Sequence, residues 1–123
     1  MSLIIVILKI LFDFLFVAFI HESTHLICAK LYRRKDIKIN VNKLFVVSVS
    51  YKNNHNSFQN LVIAASAPLI CVSLGLILLI LGYLNILALV FLSNIFNFLP
   101  VTQDGQIILI SIINILKSNN NDE

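Results

Sequence analysis

The sequence predicts an all-α integral membrane protein. Three transmembrane core helices are expected, the third broken, with a short cytoplasmic surface β-strand or hairpin after the first. Three observations predict this. Apolar residues make up 59% of the chain and charged residues 12%, far from soluble averages. The apolar residues gather in three long runs, at 3–32, 57–83 and 86–116. The net charge of +3 is unevenly spread, with Arg33, Arg34, Lys35, Lys38, Lys43 and Lys52 all between the first two runs.

At 123 residues the chain is expected to form one membrane-embedded domain, 1–123. The basic cluster sits between apolar runs, so it reads as a topology signal and no nucleic-acid partner is expected. The first run is too long for a signal-peptide core, and no small-residue cleavage site follows it. Cys28 and Cys71 both lie in apolar runs. They read as small buried hydrophobes, not a disulfide framework.

Leu3 to Tyr32 opens the chain. At 1.5 Å per residue this run reaches roughly 45 Å, enough to cross a bilayer with tilt. Lys9 and Asp13 are four apart and can neutralise each other on one helix face. Arg33 to Lys43 is polar and basic and is expected on the cytoplasmic side. Leu44 to Tyr51 is rich in β-branched and aromatic residues and alternates in its second half, which predicts a strand at the membrane surface. His55 falls in a polar turn and reads as an exposed loop histidine. Ser57 is the expected N-cap of the second helix. That helix carries a small-residue patch, Ala64-Ala65-Ser66-Ala67-Pro68, of the kind that lets helices approach closely in lipid. Pro68 is expected to kink or loosen it. In the third run, Asn94, Asn97, Pro100, Asp104 and Gly105 argue for a break. The tail from Lys117 is polar and expected to fray.

His21-Glu22-Ser23-Thr24-His25 reads H-E-x-x-H, within the first apolar run. Two histidines four apart share a helix face, so both imidazoles can reach one metal ion. Glu22 projects to another side and is placed as general base, polarising the attacking water. Catalytic zinc usually takes three protein ligands. Asp104 is the best candidate for the third. Placing the N-terminus outside puts His21 and Asp104 each about 18 residues from the outer end of its span, at similar depth nearer the cytoplasmic face.

These residues resemble the site-2 protease family of intramembrane zinc metalloproteases. The family's first motif is matched by His21, Glu22 and His25, and its Asn-x-x-Pro run leading to Asp-Gly by Asn97, Pro100, Asp104 and Gly105. Ala67-Pro68-Leu69 resembles its Gly-Pro patch, with alanine for glycine. The chain departs from the family pattern in three ways. The stretch from Pro100 to Asp104 is one residue shorter than the commonest form, the usual second proline is missing, and Gln106 replaces a common second glycine. The resemblance implies a minimal three-helix core with Zn2+ held by His21, His25 and Asp104. It implies Glu22 as base and Asn97 near the oxyanion, with Asn94 the alternative to Asn97.

The sequence thus reads as an intramembrane zinc metalloendopeptidase in a multi-pass bacterial-type cell membrane. Its partners are the lipid bilayer and a membrane-spanning or membrane-bound peptide substrate. Two rivals stand beside it. One is a catalytically silent membrane module that binds zinc or a partner helix. The other is a small structural or immunity-type membrane protein in which the motif arises by chance.

Overall fold

A computed structural model describes residues 2–43 and 46–122 of the chain. The first element, α1, spans Leu3–Leu31. Its buried residues are Asp13, Val17, His21, Thr24, His25 and Ala29. They recur every three or four positions and form one stripe. The stripe is largely polar, while Leu8, Phe12, Leu15 and Phe19 are exposed. This inverts the usual amphipathic arrangement. At the edge of the stripe, the exposed Lys9 places its Nζ 3.4 Å from Asp13 Oδ2, as their spacing predicts.

A hairpin follows, of β1 (Lys38–Val41) and β2 (Val47–Ser50). The pair is antiparallel, with Ile39 opposite Val49 and Val41 opposite Val47. The strand expected over 44–51 is thus shorter, and Leu44 and Phe45 lie outside the described residues. Its partner comes from the segment read as a basic loop. There the alternation Lys38-Ile39-Asn40-Val41 puts apolar residues opposite apolar residues. That period-two pattern is easily masked by the neighbouring charges.

The second helix, α2, spans Ser57–Ile80. Asn56, not Ser57, is its N-cap, because the Asn56 side chain accepts the Gln59 backbone N–H at 3.1 Å. α2 is one unbroken helical element with Pro68 inside it. It packs against α1 and against both helices that follow. Its buried face is Ile63, Ala64, Ala67, Pro68, Cys71 and Gly75, mostly small residues. At Gly75 an added Cβ would stand 2.8 Å from the Leu92 side chain, so the next helix lies very close there.

The third apolar run is broken as expected. It consists of α3 (Ile86–Ser93), a 3-10 segment (Asn94–Phe98), a turn, and α4 (Gln103–Asn121). The two halves are bent by 40°. α4 runs on to Asn121, so the tail expected to fray from Lys117 is helical through most of its length. A compact apolar cluster of Val17, Cys71, Val90 and Phe91 joins α1, α2 and α3. Both cysteines are free. The fold is therefore mostly helical with a small two-stranded sheet. By length and composition α1 and α2 can each cross a membrane, and the bent pair can form a third span.

Candidate metal centre

The α1 stripe brings His21 and His25 together, their ring centroids 4.8 Å apart and their planes nearly perpendicular. The two Nε2 atoms are 3.2 Å apart. Asp104 reaches the same point from α4, its Oδ2 lying 2.9 Å from His21 Nε2 and 3.1 Å from His25 Nε2. Both histidines are buried.

The opposite ring nitrogens fix the tautomers. His25 Nδ1 donates to the Ile63 carbonyl of α2 at 2.9 Å. His21 Nδ1 donates to Asn94 Oδ1 at 2.8 Å. The Asn94 amide is itself oriented, since its Nδ2 donates to the Val90 and Phe91 carbonyls. In the neutral rings each Nε2 therefore bears a lone pair directed at Asp104 and at the other ring. Three such acceptors so close repel one another unless a proton or a cation sits among them. Ligand atoms around tetrahedral zinc, each at about 2.0–2.2 Å, stand roughly 3.3 Å from one another. The observed triangle suits such an ion, and the Nδ1 hydrogen bonds are the outer-shell partners that metal-ligating histidines use.

Asp104 owes its position to the break. Thr102 caps α4 by accepting the Gly105 N–H at 3.1 Å. The Thr102 hydroxyl also lies 3.1 Å from the Asn97 and Leu99 carbonyls. Gly105 is buried against the turn, where an added Cβ would stand 1.7 Å from the Leu99 carbonyl oxygen. Only glycine admits that approach, which explains the Asp-Gly pair.

Glu22 comes nearer than its angular offset on the helix suggests. It offers an oxygen that, with ligand atoms of His21 and His25, forms a set mutually within 4.8 Å. Its Oε2 accepts the backbone N–H of Val49 in β2 at 3.0 Å. Among the described residues, Asn97 makes no hydrogen bond to either histidine. Its Nδ2 donates to Asn94 Oδ1 at 3.1 Å, so Asn94 is the asparagine in contact with His21. Both asparagines line a cavity of about 960 Å3, with His21, Glu22 and Asp104. Ile39, Val41, Val47 and Val49 of the hairpin line it too, with Phe14 and Phe19 of α1. His55 is exposed and lies apart from this centre, at the rim of a smaller polar cavity.

Two contributors have little sequence signal. Arg34, counted above among the loop charges, is only 7% exposed. Its guanidinium donates to Asn54 and Asn60 and lies over the Tyr51 ring, 5.2 Å from the centroid. Burial pushes the Tyr51 hydroxyl above its ordinary pKa despite the nearby Arg34 charge. The other contributor is the Val49 backbone, which no side-chain pattern marks. Thr102 was legible in principle, as a threonine one turn before Gly105 and just ahead of an acidic first helical turn.

Comparison with curated proteins and with solved structures gives no match. Residues 14–119 match the model of a protein family described as "Putative zincin peptidase". That match includes His21, His25 and Asp104, and the chain belongs to this family of zinc-metallopeptidase character.

Proposed function

We propose that the chain is an intramembrane zinc metalloprotease of the site-2 protease type, which hydrolyses a peptide bond of a membrane-spanning or membrane-bound peptide. One observation carries this reading. His21, His25 and Asp104 converge from two helices, with the histidine tautomers already set by Asn94 and Ile63. These three residues would hold the ion. Bound there, zinc would supply Lewis-acid polarisation of water and of the scissile carbonyl. Glu22 stands beside the cluster and takes the proton from the attacking water. Asn94 holds the His21 ring in place, and Asn97, one layer back on the same cavity wall, completes a polar patch facing the substrate. The cavity walls are otherwise largely apolar, which suits a hydrophobic segment.

The membrane setting rests on the apolar exterior of α1 and α2. The basic segment between them faces the cytoplasm in this reading. A helical substrate must unwind before its peptide bond can be attacked. The β2 edge can then pair with the extended chain. Glu22→Gln tests the chemistry. It should retain zinc and lower turnover by about 10²–10⁴-fold. Unchanged turnover in that variant would remove Glu22 as the base and favour a silent zinc-binding module.

A further inference from the structure

We propose that the backbone N–H of Val49 positions the Glu22 carboxylate, so that the hairpin belongs to the catalytic unit. This rests on Glu22 being the base. The N–H donates to Glu22 Oε2 at 3.0 Å. An N–H committed to α1 cannot also pair with β1. Val49 and Ile39 therefore form a non-hydrogen-bonded pair, and the outward edge of β2 faces Glu22.

A glutamate on a helix has three side-chain torsions and, unheld, samples several rotamers. Here one oxygen is tied to β2, which leaves the other for proton transfer. The same carboxylate stays within 4.8 Å of ligand atoms on both imidazoles. Both relations hold together only while the hairpin is seated against α1. Two features seat it, and a third aligns it with the cavity. Arg34 is buried among Tyr51, Asn54 and Asn60 just beyond the end of β2. The Lys52 N–H donates to the Lys35 carbonyl at 2.9 Å and closes the hairpin's base. Ile39, Val41, Val47 and Val49 turn the hairpin's apolar face to the cavity. The positioning group is main chain, so every residue except proline supplies it at position 49.

The test uses the full chain in detergent with a membrane-peptide substrate. Valine at 49 is replaced by its α-hydroxy analogue, which exchanges the N–H for an ester oxygen and leaves the side chain alone. Val49→Pro is the genetic counterpart and Glu22→Gln the reference. The ester and proline variants should bind zinc as wild type does. Both should lose at least about tenfold in kcat, and the ester, which leaves the strand unbent, should change KM by less than about threefold, because a misplaced base costs rate and not substrate binding.

A second readout needs neither metal nor turnover. In zinc-free protein the Val49 amide should exchange its hydrogen at least about tenfold more slowly in wild type than in Glu22→Ala. Equal exchange in the two proteins overturns the proposal. So does an ester variant with wild-type kcat while Glu22→Gln is inactive, and in that case the protease reading stands. If Glu22→Gln itself turns over at the wild-type rate, the base assignment fails and this proposal falls with it. Should the proline variant not fold, the ester and the exchange rates decide alone.

Discussion

Asp104 stands where it does because position 105 has no side chain. Alanine there would force a Cβ to within 1.7 Å of the Leu99 carbonyl oxygen, and backbone would have to move. Gly105→Ala should destabilise the protein by about 1–3 kcal/mol, as overpacked sites do, and weaken zinc binding by displacing Asp104. A thermal melt and a metal titration on the same sample check both. The ligands have their own test. His25→Ala should abolish stoichiometric zinc. Asp104→Ala should cut affinity by more than about 100-fold, since losing an outer-shell partner alone costs 10–100-fold. Full zinc and full activity in Asp104→Ala would refute the ligand set. At this scale the sequence was informative where spacing carries the geometry. His21 and His25 sit four apart on a helix, and helical rise alone put Asp104 at their depth. It was silent on which asparagine meets His21. Asn94 and Asn97 are three apart, and only the 3-10 path of Asn94–Phe98 decides between them.

Among the elements, the helices were the legible part. Long apolar runs fixed their extents to within a few residues, apart from the tail, where α4 outruns the apolar stretch. The hairpin was half legible. β2 announced itself by alternation, but β1 hid among lysines. The burial of Arg34 was not legible, for a related reason. A charge in a basic segment looks solvated, and its burial depends on Asn54, Asn60 and Tyr51, which sequence does not place beside it. The outward edge of β2 supports a further prediction. Val47 has the same parity as Val49, so its N–H also points away from β1. Val47→Pro should raise KM several-fold for a helical membrane substrate, retain zinc, and spare a short peptide already unfolded in detergent. Wild-type cleavage of the helical substrate by this variant would remove strand pairing from the account.

For the whole molecule, orientation is the first question. With Arg33, Arg34, Lys35, Lys38, Lys43 and Lys52 between the first two apolar helices, the hairpin side is expected in the cytoplasm. A cysteine placed at Lys38, which is exposed, should resist a membrane-impermeant thiol reagent added to intact cells. Rapid labelling would invert the arrangement and open the site to the other face.

The polar stripe inside α1 has a consequence for what holds the bundle together. In a soluble protein, separating the elements exposes apolar surface to water, and that exposure is the main penalty. In lipid the exposed faces of α1 are already in a medium like themselves, so separating the helices changes little for Leu8, Phe12 or Phe19. The groups that lose are Asp13, His21 and His25, which would trade neighbours for hydrocarbon. In the proposed membrane setting cohesion would thus be largely polar, and the residues that would do the chemistry would also be among those that keep the helices from drifting apart.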